Sequence, residues 1–289
     1  MGNIVHRKSS SSITPNVRKL AMLFCATLVV LVAGNGAIAG PSSTGLVASY
    51  YFNGNANDSS GNGHHGTVYG ATLTTDRFGN LDSAYDFDGI NDYIAVPYSD
   101  AFQLTEFTLA AWIKPSTDLS QLRAPTIVGR GEDYGTDQAG GVVLVAGVDN
   151  PYGDGVAVLY EDDSDDESWY SNGTSPSVGQ WTHLAATRAA DGQLSLYING
   201  VLTGQWDGTP DPTDNCYQDL LIGAYAANSS TVPPITNFFP GAIDDVMIYG
   251  RALSAGEVED LVAVPVPGAV LLTGLGTGLV SWLRRRRAL

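Results

Sequence analysis

Short apolar runs with an alternating pattern recur from residue 45 to residue 262, and they limit most strongly what this chain can fold into. Clusters of Gly, Asn, Asp and Pro separate one run from the next. Successive side chains of a strand point to opposite faces of a sheet, so a period of two between turn residues predicts β-strands. The sequence therefore predicts an all-β, two-sheet antiparallel sandwich, with its main strands at residues 46–52, 83–87, 93–96, 107–113, 126–129, 142–145, 156–160, 182–187, 194–198, 220–223 and 241–249.

Two local signals refine this pattern. Asn199 and Gly200 stand between two alternating runs, and this pair favours a two-residue type I′ hairpin turn. Ser254 is followed three residues later by Glu257, the spacing of a capping box at the start of a helix. The sequence predicts one hairpin at 199–200 and one short helix within 254–262.

Five segments in order resemble bacterial laminin G-like (LamG-like) jelly-roll domains, which share the concanavalin A-like fold. They are residues 45–63 (GLVASYYFNGNANDSSGNG), 87–94 (FDGINDYI), 107–113 (FTLAAWI), 180–186 (QWTHLAA) and 241–254 (GAIDDVMIYGRALS). The resemblance implies one jelly-roll domain over residues 45–262. It implies no single function, because this fold carries lectins, adhesins, accessory domains of enzymes and passive spacers.

The N-terminus has the features of a secretory signal peptide. Basic residues precede an apolar run at 20–33, and small residues lead up to Gly40. A basic start, an apolar stretch of roughly 7–15 residues and a small-residue site predict export and removal of the leader. We expect residues 1–39 to be the signal peptide, with cleavage after Ala39; the alternative is an uncleaved anchor helix.

The C-terminus carries a second apolar segment. Residues 269–283 are apolar and are followed by the four arginines 284–287. At ~1.5 Å per residue a helix here is short for a ~30 Å hydrocarbon core, but it can span with local thinning, and the arginines would hold its end on the cytoplasmic side. The tail, residues 263–289, resembles a PEP-CTERM sorting signal, although Val266 stands where that family has glutamate. The resemblance implies an exosortase-type protease as partner and a transient transmembrane helix; the alternative is a permanent anchor.

The two ends predict one location. An exported body held for a time by a short C-terminal helix would reach the cell surface, outer membrane or extracellular matrix of a Gram-negative-type bacterium, after transient inner-membrane anchoring.

Charge excludes some partners. The chain has a formal net charge of −16; eight of its 14 basic residues lie in the two ends, and all 30 acidic residues lie between them. Nucleic acid and anionic membrane surfaces repel such a body, so we expect no nucleic-acid partner. The same charge suits divalent cations, or simply keeps an exported protein soluble.

Residues 57–63 form a turn rich in Asn, Asp, Ser and Gly, which offers the oxygen ligands that Ca²⁺ prefers. The LamG resemblance implies that Asp58 and Asn62 share a structural calcium ion with Asp244 of the closing strand. Asp245 is the alternate ligand, since consecutive strand residues should face opposite sides. The competing interpretation is an Asx-rich turn, with Asp244 bonded to backbone amides.

Aromatic residues outside the apolar runs are candidates for glycan binding, because sugar rings stack on exposed aromatic faces. Trp112 and Trp181 alternate with apolar neighbours and are predicted to lie in the core. The candidate ligand residues, which can equally be packing residues, lie among Asp, Asn and Gly in predicted loops: Tyr152, Trp169, Tyr170 and Trp206.

Catalytic patterns are missing from the sequence. A retaining glycosidase needs two carboxylates ~5–5.5 Å apart, and the densest acidic run, residues 161–167, has no apolar residue between its acids and is predicted to be a solvated loop. His64, His65 and His183 lack zinc spacing and are predicted to be structural or surface residues. We expect a non-catalytic binding protein for an extracellular polysaccharide or glycan. The alternatives are a structural or adhesive surface protein without a small ligand and, after that, a glycoside hydrolase of the concanavalin A-like superfamily.

Overall fold

A computed structural model of the chain describes residues 41–130, 141–147, 155–161, 167–207, 216–226 and 235–263. The predicted signal peptide, residues 264–289 of the predicted sorting tail and Tyr152 lie outside these ranges. Within the described ranges, no helix combines the length and apolar character needed to cross a membrane.

The described residues form seventeen strands and one α-helix, together with two short 3₁₀ turns. In chain order they are β1 (Leu46–Tyr50), β2 (Thr67–Tyr69), β3 (Thr72–Thr74), β4 (Ala84–Asp88), β5 (Tyr93–Val96), β6 (Phe107–Pro115), β7 (Thr126–Arg130), β8 (Gly141–Ala146), β9 (Val156–Glu161), β10 (Glu167–Ser171), β11 (Thr182–Arg188), β12 (Leu194–Ile198), β13 (Val201–Trp206), β14 (Leu220–Ile222), β15 (Tyr225–Ala226), β16 (Ile235–Thr236), β17 (Pro240–Tyr249) and α1 (Ala255–Ala263).

Two antiparallel sheets hold most of these strands. Sheet A has eight strands in the order β13-β12-β11-β6-β17-β4-β3, with β1 also paired to β17. Sheet B has seven strands in the order β10-β9-β8-β7-β14-β5-β2, and β15 and β16 form a separate two-stranded ribbon. The predicted all-β sandwich is confirmed.

The main core lies between the sheets and follows the predicted alternation. On β6, Leu109, Ala111 and Ile113 belong to it, and on the neighbouring β11 so do Leu184 and Ala186. Burying each larger apolar side chain contributes about 1.5–3 kcal/mol, so this layer supplies most of the stabilising free energy.

The outer face of sheet A has its own apolar layer, which α1 covers. Met247 and Tyr249 of β17 pack there against Val258 and Leu261 of the helix. The predicted capping box is confirmed, since Glu257 N donates to Ser254 Oγ (3.3 Å) and Ser254 N donates to Glu257 Oε2 (2.9 Å).

Two further features concern chain reversal, where the predicted hairpin is confirmed, and closure of the sandwich. Asn199 and Gly200 join β12 to β13 with φ of 50° and 78°, both in the left-handed region that a type I′ turn requires. The first and last strands pair directly, with Ser49 opposite Met247.

Several strands were not predicted. β2 and β3 are only three residues long, too short for an alternating pattern to stand out. Of the acidic run, Glu161 ends β9 and Glu167 begins β10, opposite each other in the pairing of these strands. The loop predicted between them, residues 162–166, lies outside the described residues.

Candidate functional site

Asp58 organises the turn after β1 by accepting four hydrogen bonds. Its Oδ1 accepts from Ser49 N (3.0 Å) and Ser60 N (2.8 Å), and its Oδ2 accepts from His64 N (3.1 Å) and Ser60 Oγ (2.8 Å). Burial opposes the charge of this carboxylate, but the four donors outweigh burial and lower its pKa. Asp58 acts in the described structure as the centre of an Asx turn.

Asn62 attaches the same turn to β1 through its amide nitrogen. Its Nδ2 donates to the carbonyls of Leu46 (3.0 Å) and Val47 (2.8 Å). Because Ser49 N and O both bond this turn, the turn lies along the edge of β1 that faces away from β17.

Asp244 and Asp245 lie on the other side of β1, at an irregularity of β17. Asp244 is opposite Trp112 of β6 and Met247 is opposite Ala110, so β17 has one residue more than β6 between these pairs. Asp245 is the extra residue, and its φ of 44° is left-handed. This is a β-bulge, which re-aims side chains beside it.

The bulge overturns the prediction that the two aspartates face opposite sides of the sheet. Arg77 Nη1 lies 3.4 Å from Asp244 Oδ2 and also contacts Asp245 Oδ2. Strict alternation holds only in a regular strand, and an inserted residue breaks it.

The Arg77 guanidinium contacts four side chains. Its Cζ lies 4.3 Å from the centre of the Phe78 ring and 4.5 Å from that of Trp112, so the guanidinium packs against two aromatic rings besides the two carboxylates. The Arg77 side chain is 7% exposed and Asp244 is fully buried. We call Arg77, Asp244, Asp245, Trp112 and His183 the Arg77 cluster.

Burial shifts the pKa values in this cluster. Burial, and then the charge of Asp245, raise the pKa of Asp244 to about 9, while burial raises that of Asp245 against the opposing effect of Arg77. His183 is buried, and burial together with the Arg77 charge lowers its pKa to about 3, so it is neutral at pH 7.

Trp112 differs from its predicted place in the core, whereas His183 is buried and has the structural role that was one of its two predicted ones. Trp112 alternates with Ala111 and Ile113 of the core, so it faces outward, where its ring lies 5.4 Å from the His183 ring. Among the described residues, no hydrogen-bond partner reaches Trp112 Nε1, His183 Nδ1 or Asp245 Oδ1, although all three atoms are buried. Trp112 is thus part of a polar cluster on the outer face rather than of the core between the sheets.

The four predicted calcium ligands do not come together as one ligand set. Asp58 and Asn62 lie on one edge of β1, and Asp244 and Asp245 lie across β1 at β17. The donors around Asp58 and the guanidinium beside Asp244 use the carboxylate oxygens that an ion would need. No group of three or more His, Cys, Asp or Glu side chains suited to a metal occurs in the described ranges. These residues, as described, do not fit a shared calcium ion, and calcium stays a prediction.

Three of the four predicted sugar-stacking residues lie in strands rather than loops, and the fourth, Tyr152, lies outside the described residues. Trp169 and Tyr170 belong to β10, the edge of sheet B, and Trp206 ends β13, the edge of sheet A. Asn172 Nδ2 donates to Thr203 Oγ1 (2.9 Å) and joins the two edges. The Trp206 ring is half-buried and packs against the core.

An aromatic pair that the sequence did not point to lies at one end of sheet B. Tyr98 and Tyr217 have ring centres 5.5 Å apart at a tilt of 53°, and Tyr217 is 53% exposed. Asp219 Oδ1 accepts from Tyr98 N (2.8 Å), and Tyr98 OH donates to Asp100 Oδ1 (2.5 Å). We call Tyr98 and Tyr217, with Asp100 and Asp219, the tyrosine pair site.

Three neighbouring strands position this site. β5 ends just before Tyr98, β14 begins just after Asp219, and β7 ends at Arg130, which pairs with Leu220. Arg130 is buried beside the site, and its Nη1 donates to Cys216 O (2.9 Å). The hydrogen bond to Asp100 raises the pKa of Tyr98 to about 12, so its hydroxyl stays protonated and can donate.

A two-sheet antiparallel sandwich whose first and last strands pair defines this chain as a jelly-roll β-sandwich protein. Residues 87–259 match the Laminin_G_3 family, described as the concanavalin A-like lectin/glucanases superfamily, and the chain belongs to that superfamily. A search of curated proteins found no match to the chain.

Solved structures with a similar fold include domain 4 of AbnA, a GH43 extracellular arabinanase from Geobacillus stearothermophilus, in complex with arabinotriose. It is 25% identical with a TM-score of 0.55, and the match covers 75% of this chain and 98% of that domain. The binding domain of Paraclostridial Mosquitocidal Protein 1 is 19% identical (TM-score 0.58), with 76% of this chain and 52% of that one covered. The binding domain of botulinum neurotoxin DC in complex with SialylT is 14% identical (TM-score 0.56), with 76% and 52% covered. The chain spans about half the length of these two binding domains, which show the fold alone.

Proposed function

We propose that this chain is an exported, non-catalytic carbohydrate-binding protein, and that the tyrosine pair site holds the sugar. The observation that carries the proposal is the exposed Tyr217, whose ring packs against that of Tyr98, while Tyr98 bonds the carboxylates of Asp100 and Asp219. A sugar presents an apolar face to an aromatic ring and hydroxyl groups to acceptors at its edge, and this site offers both.

The similarity to AbnA domain 4 supports the same function. That domain is matched over nearly its whole length, and its structure was solved with arabinotriose bound. A neutral oligosaccharide is therefore a reasonable first ligand to try.

The proposal includes a location outside the cytoplasm. The predicted leader at 1–39 and sorting tail at 263–289 support export, processing by an exosortase-type protease and residence at the cell surface or in the matrix. The predicted calcium ion is not required for the sugar site, since Asp58, Asn62, Asp244 and Asp245 lie outside it.

A glycan array, with and without chelator, followed by calorimetry on the best neutral ligand, tests this function. We expect Tyr217→Ala to weaken binding at least tenfold, about 1.4 kcal/mol. Tyr69→Ala is the matched control, since Tyr69 is also an exposed tyrosine (46%) stacked on a second ring, that of Tyr93, but belongs to β2. No ligand under either condition would reject the proposal in favour of a structural surface protein. Equal losses in the two variants would reject the assigned site.

A further inference from the structure

We infer that Arg77 is a built-in cation for the closing strand: its guanidinium balances the one negative charge that Asp244 and Asp245 share, and it clamps the β3–β4 loop to sheet A without a metal ion. This inference is independent of carbohydrate binding. It rests on where the aspartates lie in the sheet, on how the loop is shaped and on how the guanidinium is enclosed.

The two aspartates occupy a break in the sheet. Along one edge, β17 pairs with β4 as far as Ile243 opposite Tyr85, and then with β1 from Val246 opposite Tyr50. Asp244 and Asp245 fall between these two ladders, at the bulge. On this edge of β17 neither β4 nor β1 pairs with these two residues, which leaves room for another group beside them.

The loop of residues 75–82 has internal hydrogen bonds that place Arg77 beside the two carboxylates. Asp76 is buried, and its carboxylate accepts from Phe78 N, Asn80 N and Asn80 Nδ2, each at 2.8 Å. Ser83 N donates to Thr74 O (3.0 Å) and closes the base of the loop. Arg77 is consequently presented by a pre-formed turn, which reduces the entropy lost when its long side chain is fixed.

The enclosure of Arg77 requires a guanidinium rather than an ammonium group. The guanidinium lies over the Phe78 and Trp112 rings while its Nη1 reaches both carboxylates, and the compact ammonium group of lysine cannot do both. The side chains of Arg77, Asp244 and Asp245 are nearly or wholly buried. A buried charge persists only when an opposite charge lies beside it. Arg77 thus supplies, beside Asp244, the positive charge that the sequence resemblance gave to an ion.

Thermal unfolding of the full chain in Ca²⁺ and in chelator tests the inference, using wild type, Arg77→Met, Arg77→Lys and Lys114→Met. Lys114 is the matched control, because it is an exposed cation on β6 that contacts neither aspartate. We expect the wild-type midpoint to agree within about 2 °C between the two conditions. Arg77→Met should lower it by roughly 10 °C, Arg77→Lys should recover less than half of that loss, and Lys114→Met should match wild type.

The double variant Arg77→Met with Asp245→Asn keeps the test decisive if Arg77→Met does not fold. Removing one acid should restore folding, because the defect is then an unneutralised buried charge. Three results would overturn the inference: a wild-type midpoint that Ca²⁺ raises by roughly 5 °C or more, an Arg77→Met midpoint equal to that of Lys114→Met, or a double variant that is no more stable than Arg77→Met.

Discussion

Asp244 and Asp245 are consecutive residues of strand β17, yet their carboxylates contact the same nitrogen of one guanidinium. The left-handed backbone at Asp245 makes this possible, because the inserted residue turns its side chain to the face that Asp244 already occupies. A backbone irregularity thus concentrates two acids where a regular strand would separate them.

The left-handed backbone at position 245 should determine which substitutions are tolerated there. At a φ of 44°, Asn is tolerated, whereas a β-branched residue is strained. We expect Asp245→Val to lower the free energy of unfolding by at least about 1 kcal/mol more than Asp245→Asn, measured by urea unfolding. Equal losses would show that the bulge does not constrain this residue.

Asp58 should matter for stability with or without calcium. Asp58→Ala leaves the N–H of Ser49, a buried residue, without its acceptor and removes three further bonds, so we expect a loss of about 3 kcal/mol in the free energy of unfolding. Glu259→Gln, at an exposed acid of α1, is the control and should change stability by less than about 0.5 kcal/mol. A loss at Asp58 that appears only in added Ca²⁺ would contradict this role.

His183 should make stability depend on pH. Its folded pKa of about 3 lies below its unfolded value, so the unfolded chain binds a proton that the folded chain refuses. The stability contributed by neutral His183 is complete above pH 6.5 and is lost as pH falls towards 3, by at most about 1.4 kcal/mol per pH unit. Urea unfolding between pH 7 and pH 4 should give a shallower slope for His183→Gln than for wild type, and identical slopes would refute the assignment.

Two substitutions in the first turn of α1 should change the free energy of unfolding in opposite directions. Ser254→Ala removes the acceptor for Glu257 N and should cost about 1 kcal/mol. Gly256→Ala adds a methyl group into open space on the helix and should gain about 0.5 kcal/mol, because alanine loses less backbone entropy. Thermal unfolding of both variants would check the cap, and a destabilising Gly256→Ala would show that the first turn is not regular helix.

The charge of the tyrosine pair site should select among glycans. Asp100 and Asp219 flank the tyrosines in a strongly acidic chain, so an anionic polysaccharide should bind more weakly than a neutral one of the same length. Rising salt should narrow the difference by screening the repulsion, which affinity electrophoresis at two ionic strengths can measure. Tighter binding of the anionic polymer at low salt would contradict this selectivity.

Patterns within the sequence predicted the fold class, the hairpin at Asn199 and Gly200, and the cap formed by Ser254 and Glu257. Each of these depends on residues a few positions apart in the chain. Alternation, turn preference and capping can therefore be recognised without knowing which distant segments pack together. The family resemblance implied the jelly-roll fold as well, and the calcium ion that it also implied stays a prediction.

Tertiary structure alone decided the two sites. Arg77 meets Asp244 across more than half of the chain, and the bulge that turns Asp245 towards it depends on β17 changing its partner from β4 to β1. Tyr98 meets Tyr217 because β5 and β14 are neighbours in sheet B. Such contacts follow from strand order and register, which short-range periodicity does not encode.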